Sequence, residues 1–256
     1  MTRLKKGVMI AEVTNEDCQK LLDEETIVML PIGGGSKEHG GHLPMGTDFY
    51  VTDWVARRVT ERCDVLTLPT LPYAYFPAFV EWTGSVSIGH RHFTDYVRDI
   101  LMSYARFGVR KFLIIDGGVS THPPLCMLAR DMDNECGVKV AVSDITQLAR
   151  EMEEAVCQQA RGGHADESET STMLFIREDL VHMDRTVEEY TGTFPGAVVN
   201  GHTKVYLSSR MCTPHGSNGN STLATKEKGE KILNAMVDGI CVFLDSFIPW
   251  EPGDIR

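Results

Sequence analysis

Short apolar runs alternate with longer amphipathic stretches along this chain, and this alternation constrains its fold more than any other feature. Because strands that alternate with helices form parallel βαβ units, the pattern indicates an α/β fold. We predict one domain over residues 1–256, with a mostly parallel sheet flanked by helices on both faces. The predicted strands are residues 25–32, 65–71, 111–115 and 138–142, and the predicted helices are residues 48–62, 93–107, 144–161 and 222–247.

A glycine-rich loop at residues 31–48 follows the first predicted strand and is dense in ionisable groups. These groups are Lys37, Glu38, His39, His42 and Asp48. Glycine gives a backbone few contacts and much freedom, so such a segment suits a sharp turn or a close approach to a ligand. The loop therefore predicts a metal site or an acid–base site, although Lys37 fits a metal site poorly.

Two further polar loops lie at residues 116–124 and 162–171. In an open parallel sheet, ligands bind beyond the carboxyl ends of the strands, where the exit loops gather. The loops at residues 31–48 and 116–124 lie at that edge, and convergence of all three loops would form a site. Nucleotide binding is not predicted, because residues 33–35 lack the Lys-Ser/Thr ending of a phosphate loop.

The charge and hydropathy of the chain argue against several classes of function. A net charge of −11 and a pI near 5.3 disfavour nucleic acid or an anionic membrane as partner, since both require a basic surface. The chain has no apolar run long enough to span a bilayer, and its basic start lacks the apolar segment of a secretory signal. We therefore expect a cytoplasmic protein that acts on a small molecule.

Four segments resemble motifs of the creatininase (creatinine amidohydrolase) family. Residues 35–48 are similar to Gly-Ser-x-Glu-x-His-Gly-x-His-Leu-Pro-x-Gly-Thr-Asp, with one residue fewer before the first histidine. Residues 164–171 resemble His-Ala-Gly-x-x-Glu-Thr-Ser, residues 82–88 resemble Pro-Gly-Thr-x-Ser-Leu, and residues 219–229 resemble Gly-Asp-Pro-x-x-Ala-x-x-Glu-Lys-Gly. Because the matches run in order over nearly the whole chain, it is identified as a member of this family.

The resemblance implies an α/β core, a homohexamer, and a site with two divalent metal ions, Zn or Mn, with Fe also possible. Water activated by the metal would attack a C–N bond, often in a cyclic amide. Some relatives act on formamides, and others cut a C–C bond of a cyclic polyol ketone. The ligands of one metal carry across as His39, Asp48 and Glu169.

The ligands of the other metal do not carry across cleanly. Its glutamate falls on Lys37 when the motif is aligned from the following histidine, and on Glu38 when it is aligned from the preceding Gly-Ser. Its histidine falls on Gly118. Either Glu38 still binds this metal and His122 replaces the missing imidazole, or one cation site is absent and the Lys37 ammonium offsets the nearby aspartate. We favour one ion per chain over two.

Catalytic roles follow from the chemistry of three side chains. His164 would protonate the leaving atom, since imidazole titrates near neutral pH, and Glu167 would orient it. Lys37 would stabilise the developing oxyanion. Plainer interpretations remain for several residues: Glu38 and Glu167 as exposed loop charges, His122 as an ordinary residue before two prolines, His39 as a loop histidine, His42 as a structural one, and Asp48 as a helix N-cap.

The sequence therefore predicts a metal-dependent hydrolase that acts on a small polar, cyclic substrate. Ring-opening C–C hydrolysis of a keto-polyol such as an inosose is preferred, with amide C–N hydrolysis second. One alternative is a catalytically inactive, creatininase-like structural or regulatory subunit. Another is a lyase in which Lys37 forms a Schiff base with a ketone.

Overall fold

The computed structural model describes residues 7–191 and 206–251. Its strands are β1 (Val8–Met9), β2 (Ile27–Ile32), β3 (Leu66–Thr67), β4 (Lys111–Asp116), β5 (Lys139–Asp144), β6 (Glu188–Glu189) and β7 (Gly219–Asn220). Its helices are α1 (Asn15–Leu21), α2 (Thr47–Arg62), α3 (His90–Ala105), α4 (His122–Cys136), α5 (Ile145–Leu148), α6 (Arg150–Val156), α7 (Glu167–Arg177), α8 (Ser209–Cys212) and α9 (Lys226–Phe247). None of these described helices has the length and apolarity needed to cross a bilayer.

A five-stranded sheet with the order β1-β3-β2-β4-β5 forms the centre of the fold. All of its neighbouring strands pair in parallel. Every residue of β2 and β4 is buried, as expected for central strands of a parallel sheet that is covered on both faces. The predicted mostly parallel α/β fold is confirmed.

Side chains of β2 alternate between two hydrophobic cores because successive residues of a strand point to opposite faces. Ile27 and Met29 pack in a core that includes residues of α2, α7 and α9. Val28 and Leu30 pack in a second core, with residues of α3 and α4. Helices therefore cover both faces of the sheet, as predicted.

Three of the predicted elements differ from the observed ones in extent or continuity, besides smaller shifts at the ends of the others. The segment at residues 65–71 pairs as a strand only over Leu66–Thr67, since Pro69 lacks the N–H that a continuing ladder requires. The segment predicted as one helix at residues 144–161 forms two short helices, α5 and α6. The terminal helix begins at Lys226, where the side chain of Thr225 accepts a hydrogen bond from the backbone N–H of Lys228.

Helix α4 was not predicted, because its first residues read as the end of a polar loop. His122 is followed by two prolines in the first turn. Proline is compatible with that turn, since the first N–H groups of a helix have no intrahelical partner. The helix ends at Gly137, which adopts the left-handed conformation typical of a C-terminal cap.

Candidate metal centre

The loops after β2 and before α7 meet at the carboxyl edge of the sheet. The rings of His39 and His164 lie 4.8 Å apart between centroids. The loop after β4 lies beside them, since the backbone N–H of Gly117 donates to the carbonyl of Ile32 at 2.8 Å. The structure thus brings together the three loops that the sequence indicated, although the third becomes helix α7 from Glu167 onward.

His39 is fully buried, and both of its ring nitrogens face oxygen atoms. Nδ1 lies 3.0 Å from the carbonyl oxygen of Lys37, and Nε2 lies 2.7 Å from Oδ1 of Asp48. A neutral imidazole has one N–H, so it can donate to only one of these acceptors. If Nδ1–H donates to the carbonyl, the lone pair of Nε2 faces the carboxylate. That arrangement requires a cation between them, either a proton or a metal ion.

Asp48 lies inside the first turn of α2 and is not its N-cap, which is Gly46. Its Oδ2 accepts a hydrogen bond from Nζ of Lys37 at 2.7 Å, and its Oδ1 contacts His39. Burial alone would raise the pKa of Asp48, but the charges and hydrogen bonds of Lys37 and His39 outweigh it and hold that pKa well below its usual range. Its carboxylate therefore remains charged in the folded protein.

Glu169 lies in the first turn of α7, close to His164. The side chain of Asp166 caps this helix by accepting from the backbone N–H of Glu169 at 3.0 Å. Oε2 of Glu169 accepts from the backbone N–H of Ala165 at 2.5 Å and lies 3.9 Å from Nδ1 of His164. Ala165 has a φ of 44°, a strained conformation that a non-glycine residue rarely adopts outside functional sites.

Ligand atoms of His39, His164 and Glu169 lie within 4.8 Å of one another. Two imidazoles and a carboxylate form the ligand set of hydrolytic zinc enzymes such as thermolysin. Each imidazole also has an acceptor for its other ring nitrogen: Nε2 of His164 lies 3.2 Å from Oε2 of Glu38. Such partners fix the tautomer of metal-binding histidines, so the residues present fit a divalent metal ion.

The pKa directions of these groups agree with a site built for a cation. Burial is the main reason that the pKa of His164 lies well below its usual value, and the nearby His39 and Lys37 lower it further. The ring is therefore neutral and able to bind a metal. Burial raises the pKa of Glu169 to about 7 and that of Glu38 to about 7. His164 was expected to act as a proton donor, but a neutral imidazole suits a ligand better.

Glu38 contacts His164, whereas Glu167, which was predicted to orient His164, has other partners. Oε2 of Glu167 accepts from the backbone N–H groups of Gln158 and Gln159, both at 2.8 Å, and its Oε1 accepts from Nζ of Lys228 at 2.6 Å. Glu167 is fully buried, so it is not an exposed loop charge either. Its carboxylate joins the segment before α7 to helix α9, and the hypothesis that it orients His164 is corrected.

His122 lies at the start of α4 and does not take the place of the missing imidazole. Its Nδ1 lies 3.2 Å from Oδ2 of Asp116, and its Nε2 lies 3.4 Å from Sγ of Cys126. His42 is structural, as expected, because its Nε2 lies 2.8 Å from Oγ1 of Thr170 in α7. Burial lowers the pKa of His42 to about 4, so this contact is made by a neutral ring.

Asp116 makes the stability of the metal-free protein depend on pH. Burial raises its pKa to about 7, although Thr121 and Gly118 donate hydrogen bonds to it. Since this pKa is higher in the folded than in the unfolded chain, the stabilisation is present in acid and is lost as pH rises through 7. We expect the free energy of unfolding in urea to fall between about pH 4 and pH 7, and to fall less for Asp116→Asn. Equal slopes for the two proteins would contradict this assignment.

The comparison with known proteins identifies the family. A model of the Creatininase family, described as creatinine amidohydrolase, matches residues 11–244. The chain belongs to the creatininase family, and its members are hydrolases for which metal-bound structures are known. The predicted class, a creatininase-like hydrolase, is therefore confirmed.

Three curated relatives differ in their reactions. Creatinine amidohydrolase of Pseudomonas putida is 28% identical, over 93% of this chain and 96% of the relative. 3-Dehydro-scyllo-inosose hydrolase of Thermotoga maritima is 22% identical, over 91% and 81% of the two chains. Mycofactocin precursor peptide peptidase of Mycobacterium ulcerans is 26% identical, over 88% and 86%. The family thus includes hydrolases with different substrates.

Solved structures agree with this assignment. A creatininase crystal structure superposes with a TM-score of 0.81 at 26% identity, over 96% of this chain and 100% of that chain. A creatininase mutant of Zn-Zn type and a manganese creatininase, each 25% identical with the same coverage, give TM-scores of 0.80 and 0.79. These structures support a divalent metal in the site described here.

Proposed function

We propose that this protein hydrolyses a small polar, cyclic substrate with the help of a bound divalent metal ion. His39, His164 and Glu169 would hold the ion, with Asp48 next to it through its contact with His39. The observation that carries the proposal is the convergence of these three ligand atoms, with an acceptor behind each imidazole. In this ligand set, His164 takes the place of Asp48, which the sequence had predicted as a ligand.

Two side chains next to the proposed metal centre, Glu38 and Lys37, would assist the reaction. A bound divalent ion lowers the pKa of water and polarises a carbonyl group. Glu38 has a pKa of about 7 and touches His164, so it can hold or release a proton near neutral pH. Lys37, paired with Asp48, would add positive potential to the site and so stabilise a developing oxyanion.

We propose a cyclic keto-polyol as the substrate, opened by C–C hydrolysis, with an amide as the second candidate. The inosose hydrolase and the creatinine amidohydrolase among the relatives support both classes. A homohexamer is proposed by the same analogy. The Schiff-base alternative is less favoured, because that chemistry needs a free amine and Nζ of Lys37 is engaged by Oδ2 of Asp48 at 2.7 Å.

Removal of the metal tests the proposed function. Treatment with a chelator is expected to lower turnover of a cyclic polyol ketone, or of creatinine and related lactams, by at least about 100-fold. Zn²⁺ or Mn²⁺ added back should restore it. A protein that binds metal and turns over none of these compounds would indicate the inactive subunit. Borohydride trapping of a substrate adduct on Lys37 would indicate the lyase.

His164→Gln separates the two roles considered for this histidine. If His164 binds the ion, we expect the metal content of the purified variant to fall together with its turnover, because a glutamine amide is a weaker ligand than imidazole. Metal content can be measured by elemental mass spectrometry. A variant that keeps its metal and loses only turnover would restore the proton-donor role predicted from the sequence.

A further inference from the structure

The carboxylate of Asp48 has two faces, and one of them contacts a residue of the candidate metal centre. Oδ1 contacts His39, one of the three converging ligands. Oδ2 accepts from Nζ of Lys37 at 2.7 Å, and both side chains are almost fully buried. The second face of this carboxylate is therefore already paired with a positive charge that belongs to the chain.

Two aromatic rings also face that ammonium. Nζ of Lys37 lies 4.9 Å from the ring centroid of Phe79 and 5.3 Å from that of Phe76. Ring faces attract an ammonium group, but they offer no lone pair that could bind a divalent ion. The two rings therefore favour an ammonium group over a divalent ion at this position.

Phe76 also occupies the space in which a ligand from the loop after β4 would have to stand. A Cβ atom built on Gly118 would lie 2.9 Å from Cε1 of Phe76 and 2.7 Å from Oγ1 of Thr121. Any side chain at position 118 would therefore displace its neighbours. The histidine of this loop, His122, contacts Asp116 instead.

We infer that the Lys37 ammonium, enclosed by Phe76 and Phe79, replaces a second divalent ion, so that the centre is mononuclear. The Zn-Zn form of creatininase shows that a relative holds two ions. Here the second positive charge is covalently part of the chain and does not depend on metal supply. The inference rests on the proposed metal-dependent function and specifies the composition of its centre.

Metal titration of the wild-type protein tests the inference without any substitution. Chelator-treated protein is titrated with Mn²⁺, and bound metal is counted by elemental analysis after gel filtration. We expect one ion per chain and the electron paramagnetic resonance spectrum of an isolated Mn²⁺. Two ions, or the spectrum of a coupled pair, would overturn the inference and leave the proposed hydrolase intact. No bound ion would overturn the proposed function and, with it, the inference.

Two substitutions at Lys37 then test whether this residue is what excludes a second metal ion. Lys37→Glu places a carboxylate beside Asp48, and we expect bound Mn²⁺ to rise above one ion per chain. Lys37→Met is the matched control: it keeps an unbranched chain without charge or ligand oxygen, and we expect it to stay at one ion. Circular dichroism checks that each variant is folded. If the folded glutamate variant also stays at one ion, Lys37 is not what excludes the second.

Discussion

Replacement of Glu169 by glutamine is expected to strip the protein of its metal ion and to abolish turnover. Loss of a partner one step removed from a metal typically costs 10- to 100-fold in affinity or activity, so loss of a direct carboxylate ligand should cost at least about 100-fold. Glutamine keeps the shape of the side chain, and the backbone N–H of Ala165 still has an oxygen to donate to. The variant should therefore fold and fail only at the centre.

The metal-free form of this variant provides an internal check on the fold. Burial raises the pKa of Glu169 to about 7, which means that the metal-free fold favours the neutral form of this group. Glutamine is neutral at every pH. We therefore expect metal-free Glu169→Gln to be at least as stable in urea as the metal-free wild type above pH 7. A large loss of stability would show that the side chain has a structural role.

Glu167→Gln is the matched control, because Glu167 lies two residues earlier in α7 and is buried. Its carboxylate is paired with Lys228, whose side chain is 16% exposed. Breaking a buried ion pair leaves an uncompensated charge and costs about 3–5 kcal/mol. We expect this variant to lose stability but to keep its metal content. If the folded protein kept its metal but lost turnover, Glu167 would have the catalytic role first predicted for it.

The central strands could be predicted from the sequence because burial on both faces leaves a simple signature. All of β2 and the four residues of β4 between Lys111 and Asp116 are apolar, and such runs are distinct from the amphipathic stretches between them. Helix α4 could not be predicted in this way. Its start combines His122 with two prolines, and the same residues suit a loop or a first helical turn.

The sequence predicted contacts of the candidate site between residues close in the chain, but not contacts between distant residues. The pairing of Lys37 with Asp48 was foreseen, since both residues belong to one glycine-rich loop and its following helix. The contact between Glu38 and His164 joins residues 126 positions apart, and no spacing in the sequence indicates it. Phe76 and Phe79 were missed because the sequence alone suggests that an aromatic residue belongs to the hydrophobic core. Only the structure shows that both rings face the buried Nζ of Lys37.

Gly229→Ala is expected to destabilise the protein by about 3 kcal/mol, because helices α7 and α9 touch at this glycine. A Cβ atom at position 229 would lie 1.9 Å from the carbonyl oxygen of Ser171 and 2.4 Å from its carbonyl carbon. Backbone atoms cannot rotate away as a side chain can, so the two helices would have to separate. Urea denaturation of the metal-free protein measures the loss.

Gly239→Ala, in the same helix, is the control for Gly229→Ala. Its Cβ atom would meet only Leu148, at an ordinary 3.6 Å, and alanine is favoured over glycine in a helix by about 1 kcal/mol. This variant should be as stable as the wild type or slightly more so, and equal effects of the two substitutions would contradict the packing argument. Because Ser171 follows Glu169 in α7, only Gly229→Ala should also weaken metal binding, by shifting the helix that carries the ligand.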